Sequence, residues 1–247
     1  MIAQLPYCGI APLPGTLLTR FNLDPVLIGA LLLIAGAHLF AVRGARPRAW
    51  AFAGWCVAAC ALISPLCALS VALFSARVAQ HMLLILVAAP LIALGLPPAG
   101  ARRGRARLWG SAAAFFAALW YWHMPGPYDA TFTSTPVYWC MHVTLSGSAL
   151  LLWHELLHAT GEHTVAALSA GILTSIQMGL LGAILTLATR PLFFWHLTST
   201  QAWGLTPLQD QQLGGVFMWV PGIALFLWAA LRSLVRLRTA LEGARAS

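Results

Sequence analysis

The sequence predicts an all-helical membrane protein with about seven transmembrane helices, its N-terminus outside and its C-terminus cytoplasmic. Three observations carry this reading. Of 247 residues, 60% are apolar and 8% charged, with a mean hydropathy of +0.80, which excludes a water-soluble domain of this size. Apolar stretches of about 20 residues, enough for a helix to cross the hydrocarbon, recur along the chain. The basic residues are 14 arginines with no lysine, and most fall in short loops between those stretches. A net charge of +8 distributed in this way is a positive-inside signal and does not point to a nucleic-acid partner.

Residues 1–24 form a predicted periplasmic segment. It has no basic leader ahead of an apolar run, and Pro6, Pro12 and Pro14 interrupt it, so no cleavable signal peptide is expected. The spans fall near 25–42, 49–70, 78–97, 108–125, 136–159, 164–189 and 211–235. Together these make a transmembrane domain over 25–235, followed by an arginine-containing cytoplasmic tail, 236–247. Pro65, Pro90 and Pro221 lie in or near spans, where a kink is tolerated once neighbours satisfy the freed carbonyls. Arg43, Arg46 and Arg48 follow the first span, Arg102, Arg103, Arg105 and Arg107 the third, and Arg232, Arg236, Arg238 and Arg245 close the chain. Arg20, Arg77 and Arg190 fall on the other side.

That orientation places three imidazoles at one depth. His81 lies a few residues into the third span, His123 closes the fourth and His142 is about a turn and a half into the fifth, all at outward ends. His81-Met82, His123-Met124 and Met141-His142 pair a histidine with a thioether, and thioethers select Cu(I) while imidazole accepts either copper state. Polar groups of this kind near hydrocarbon are functional candidates by default. The outer loop 190–210 adds His196 and Asp210, and Met218 follows Asp210 by two helical turns on the same face. The competing reading is ordinary, since methionine fills core gaps and histidine is common at interfaces.

Other polar residues read differently. Gln177 and Met178, with Thr174 one turn earlier, form a patch suited to interhelical hydrogen bonding. His38 reads as an interfacial or packing residue. Cys8, Cys56, Cys60, Cys67 and Cys140 lie mostly in apolar segments and are expected to form no disulfide framework. Cys56 and Cys60 stand one turn apart and Cys140 neighbours His142, yet buried free cysteines behave as small hydrophobes. His154-Glu155-Leu156-Leu157-His158 matches H-E-x-x-H, the helical pattern of a zinc peptidase. Gly161 and His163 approach the longer metzincin pattern with the last histidine one residue early. The motif lies at the cytoplasmic end of the fifth span, and Glu162, Asp210 and Glu242 are poorly placed as a third ligand. The alternative is a polar helix end at the inner interface.

These residues together resemble the CtaG-like family of cytochrome c oxidase assembly factors, over most of 60–235. The resemblance rests on Gln80-His81-Met82-Leu83-Leu84 running into Ala89-Pro90-Leu91 and Gly95-Leu96-Pro97, and on Trp122-His123-Met124-Pro125 followed by Tyr128-Asp129. It rests equally on His142 and on Asp210-Gln211-Gln212 leading to Met218-Trp219-Val220-Pro221-Gly222. It implies a multi-pass protein of the bacterial inner membrane that helps copper reach a haem-copper oxidase and has no catalysis of its own. Its implied partners are oxidase subunits and a periplasmic copper donor, in contact with membrane lipid. The implied metal positions are His81, His123, His142, Asp210 and Met218. Two departures stand out: many family members carry a further histidine where this chain has Arg77, and an acid where it has Met141. A guanidinium is not an ordinary metal ligand, so Met82, Met141 or Cys140 would have to substitute. A haem-binding electron carrier, with His81 and His142 as axial ligands, is a third class.

Overall fold

The predicted apolar segments fold as helices because each can satisfy its own backbone polar groups, a requirement in lipid. The computed structural model describes residues 5–98, 105–160 and 163–246. Arg102, Arg103, Gly161 and Glu162 lie outside those residues, as do the side chains of Arg236 and Arg245. The chain is 82% helical, with no strand among the described residues. Its helices are α1 (Pro25–Ala41), α2 (Ala45–Ile63), α3 (Leu66–Ala72), α4 (Phe74–Met82), α5 (Ala89–Gly95), α6 (Arg105–Trp122), α7 (Pro125–Thr133), α8 (Thr135–His158), α9 (His163–Leu187) and α10 (Pro207–Ala246). All seven predicted segments are thus helical. Among the described residues, three helices are long and apolar enough to cross a membrane: Phe74–Gly95, His163–Leu187 and Pro207–Val235. A fourth is added if α2 and α3, bent by 47° at Ser64-Pro65, count as one broken span. Large apolar side chains such as Leu33, Phe40, Phe116, Val143, Ile176 and Trp228 are exposed on the helix sides, as contact with acyl chains requires.

Two proline sites show how the helices stay satisfied. Between α4 and α5 the backbone opens into a π-helical turn, Leu83–Ala88, so that the Ala89 N–H reaches back to the Leu84 carbonyl. The next bond of that pattern would come from residue 90, and Pro90 has no N–H. Its intended acceptor, the Ile85 carbonyl, instead takes a hydrogen bond from the Trp153 indole of α8 at 2.7 Å. At the other site, Pro65 ends the straight run of α2 and the chain resumes in α3.

α9 and α10 pack along most of their length through small residues, which let backbones approach where no hydrophobic drive exists between helices in lipid. A Cβ on Gly215 would stand 2.7 Å from the Gly182 carbonyl. Gly214 plays the same part against α4, where a Cβ would meet the Phe74 ring at 2.6 Å. Close approach there brings Asp210 onto the first turn of α4. α1 is the most peripheral helix, burying only Leu27. His38 accepts a hydrogen bond from the Trp55 indole at 3.0 Å, and the Trp120 indole donates to Gln177 at 2.9 Å, so both residues serve in helix packing as expected.

The cysteine expectation is corrected at one pair. Cys8 and Cys67 form a disulfide, with Cα atoms 5.5 Å apart, while Cys56, Cys60 and Cys140 are free and exposed. The bond ties the N-terminal segment to the start of α3, at the pole of the bundle that also carries α7, the start of α8 and the loop before α10. At this N-terminal pole the Tyr7 hydroxyl donates to Asp24, which itself caps α1 through the Val26 N–H at 2.9 Å. That pair holds the Asp24 carboxyl below the usual carboxylate range.

Candidate metal centre

Three helices deliver the predicted imidazoles to one place. His81 is on the last turn of α4, His123 immediately follows α6, and His142 is in the second turn of α8. The His81 ring centroid lies 5.7 Å from that of His123 and 5.4 Å from that of His142. All three are buried, at 1%, 4% and 4% exposure.

Their hydrogen bonding defines which atoms are left over. The His123 Nδ1 lies 2.7 Å from the Leu119 carbonyl and the His142 Nδ1 lies 3.2 Å from the Tyr138 carbonyl. A carbonyl only accepts, so each Nδ1 carries the proton and a neutral ring presents its lone pair at Nε2. Both Nε2 atoms are buried without a hydrogen-bond partner, and so are both nitrogens of His81. Tying one ring nitrogen to a carbonyl while leaving the other bare is the arrangement by which proteins prepare a histidine for metal. Two rings bound to one ion at about 2 Å per nitrogen would have centroids about 5–6 Å apart, the observed range. Among the described residues, no group of three or more His, Cys, Asp or Glu side chains is arranged to hold a metal ion. The rings therefore have the spacing of a shared site, while their donor atoms do not converge on one point.

The other two expected positions do different things here. Asp210 is fully buried and its carboxylate accepts from the Phe74 N–H at 2.6 Å, the Ser75 N–H at 3.1 Å and the Ser75 hydroxyl. It caps α4 from α10, satisfying donors that a helix N-terminus leaves free. Its neighbours extend the clamp: Gln211 bonds the Leu185 carbonyl and the Leu192 N–H, and Gln212 bonds the Ala188 carbonyl. The Asp-Gln-Gln run thus joins α10 to α4, to α9 and to the loop beyond. Met218 is fully buried in the apolar core that also holds Met82 and Met178.

Around the histidines stands an aromatic wall. Tyr138 packs against His142 with its ring tilted by 34° and centroids 4.3 Å apart, and Cys8 lies 3.4 Å from the Tyr138 hydroxyl. The Tyr128 hydroxyl and His196 Nε2 are 2.7 Å apart, with Phe74, Phe132 and Phe193 packed about them. Burial, and then the Arg77 charge, push the His196 imidazole down to about 3. Arg77 itself, assigned to an outer flank by charge counting, is inside helix α4 and 1% exposed.

The H-E-x-x-H residues sit at the opposite pole and are engaged. His154 Nε2 donates to the Pro97 carbonyl at 3.0 Å, and His158 Nδ1 donates to the His154 carbonyl at 3.0 Å. Glu155 pairs with Arg107 at 3.0 Å. A cavity of about 630 Å³ opens beside them, lined by Val42, Arg43, Pro47, Leu96, Pro97 and His158 among others. These bonds fasten the end of α8 to the end of α5 and the start of α6.

No curated protein and no solved structure matches the chain. The model of the family described as cytochrome c oxidase caa3 assembly factor (Caa3_CtaG) matches residues 31–240, a stretch that includes every histidine of the chain, Asp210 and Met218. By its helices and by this match, the chain is a membrane protein that belongs to the cytochrome c oxidase caa3 assembly factor family.

Proposed function

We propose that the protein serves oxidase assembly by holding Cu(I) at the three-histidine centre and passing it toward a haem-copper oxidase from the periplasmic side of the bacterial inner membrane. The observation that carries this reading is the set of buried, unpartnered ring nitrogens of His81, His123 and His142 at 5.4–5.7 Å ring spacing. Leaving such atoms unsatisfied in a low-dielectric interior is unfavourable unless something binds them. Neutral imidazoles with Met82 and Met218 in the adjoining core suit a soft monovalent ion. Asp210 acts as a positioning residue, because its carboxylate sets the start of the helix that carries His81. The protein performs no catalysis of its own in this reading. Its partners are membrane-embedded oxidase subunits and a periplasmic copper donor, within a lipid bilayer.

Seven crossings with the N-terminus outside fit the placement of eleven arginines in alternate loops or in the tail. The Cys8–Cys67 disulfide adds support, since such bonds persist in oxidising compartments such as the periplasm and are rare in the cytosol. Haem ligation by His81 and His142 is the weaker reading. Axial ligands on opposite faces of a porphyrin have ring centroids more than about 6 Å apart, and 5.4 Å leaves no room for the plate.

Copper analysis of detergent-purified protein tests the proposal. Wild type, loaded anaerobically with Cu(I) and desalted, retains about one copper per chain, and His81→Ala loses most of it. Equal copper in the two, with both proteins folded, would leave a scaffolding role. A Soret band in the protein as isolated would favour the haem reading.

A further inference from the structure

Arg77 is a buried cation that the histidine centre does not by itself explain. Its guanidinium carbon lies 4.5 Å from the Phe132 ring centroid and 5.3 Å from that of Tyr138. Nε reaches the Ser70 carbonyl at 3.5 Å, and Nη1 is buried with no hydrogen-bond partner. Among the described residues no carboxylate pairs with it. Asp210, which reaches the start of the same helix from α10, is held by Phe74 and Ser75. A guanidinium stays charged under all ordinary conditions, and the aromatic faces offset only part of the cost of burying it.

Its position relative to the histidines gives the charge a use. Arg77 precedes His81 by one helical turn, so the two side chains leave α4 on the same face. Tyr138, which it overlies, packs against His142. An ion held between His81 and His142 would lie on the order of 8 Å from the guanidinium, judged from the reach of side chains one turn apart. At an effective dielectric constant of about 20, repulsion over that distance weakens binding roughly thirty-fold for each unit of charge on the ion. A monovalent ion suffers the factor once and a divalent ion twice. Cu(II) and Zn(II) stand high among divalent ions for imidazole sites, and the three imidazoles and the thioethers bring no negative charge to offset the repulsion.

We propose that Arg77 sets the charge selectivity of the three-histidine centre, admitting Cu(I) and turning away divalent ions. The proposal rests on the metal-binding reading above, and its test separates the two. Purified full-length protein in detergent is titrated with Cu(I) and with Zn(II), each against a chromophoric chelator, in wild type, Arg77→Gln and Arg77→Lys. Arg77→Gln binds both ions more tightly, and Zn(II) gains about thirty-fold more than Cu(I). The Cu(I)-to-Zn(II) affinity ratio falls by that factor, and Arg77→Lys, which keeps the charge, retains most of the wild-type ratio. Should Arg77→Gln fail to fold, Arg77→Met preserves the apolar stem and carries the same expectation. A ratio within threefold of wild type in a folded neutral variant overturns the role of Arg77 and leaves the metal site standing. No Cu(I) binding in wild type or in any Arg77 variant removes the metal site, and the proposal with it.

Discussion

The two poles of the bundle each gather histidines, and they treat them in opposite ways. At the N-terminal pole three imidazoles are buried with four ring nitrogens unpartnered. At the opposite pole His154 and His158 bond backbone carbonyls and Glu155 pairs with Arg107. The motif that looks more specific on paper, H-E-x-x-H, is the one whose side chains already fasten helices together. The dispersed histidines, brought by three different helices, are the ones left with unused lone pairs. Hydrogen-bond accounting separates the two cases where residue type and spacing do not.

The largest effect expected from breaking this contrast is at Asp210, which supports the N-terminal pole without sharing its chemistry. Asp210→Ala strands the Phe74 N–H, the Ser75 N–H and the Ser75 hydroxyl in the interior. A loss of about 2–4 kcal/mol of stability follows, read as a lower melting temperature in detergent and reduced protein in the membrane. His142→Ala should do the reverse, leaving protein level near normal while copper and oxidase maturation fall. If Asp210→Ala kept full stability and lost only metal, Asp210 would be a ligand and the division of labour drawn here would be wrong.

A smaller effect belongs to His196. Its folded-state value near 3 lies below the ordinary 6.5, so the unfolded chain binds a proton over a range where the folded protein does not. Stability is therefore full above about pH 6.5 and declines as pH falls toward 3, by about 2 kcal/mol between pH 7 and pH 5. His196→Gln keeps an acceptor for the Tyr128 hydroxyl and should flatten that part of the pH dependence in thermal melts. An unchanged slope would mean that His196 takes up no proton on unfolding.

The smallest effect is expected at the opposite pole. Arg107 is half exposed, so solvent screens its pair with Glu155, and Glu155→Gln should change stability by no more than about 1 kcal/mol. Oxidase maturation in a strain carrying it stays at the wild-type level. Its abolition at normal protein abundance would make the H-E-x-x-H pole the functional one.

The helices are legible in the sequence because hydrophobic length is a one-dimensional property, and the histidine convergence follows from depth along those helices. Gln177 and His38 are legible as packing residues for the same reason. The role of Asp210 is not, because a side chain that caps another helix 136 residues earlier leaves no local signature. Arg77 is miscounted as an outer flank because charge counting assigns arginines to loops and carries no information about which rings surround them. Cys8 and Cys67 are hidden by their separation of 59 residues, and Pro90 announces a break without revealing that Trp153 repairs it.

The Cys8–Cys67 bond carries a consequence of parity. Its two sulfurs must lie on the same side of any bilayer the chain enters, so the chain between them crosses an even number of times. α1 and α2 are the only helices of ten residues or more in that interval. They must therefore cross together or not at all. α1, an apolar helix of 17 residues that falls short of those long enough to cross by themselves, thus shares the fate of the longer helix that follows, and a covalent bond constrains what hydrophobic length alone leaves open.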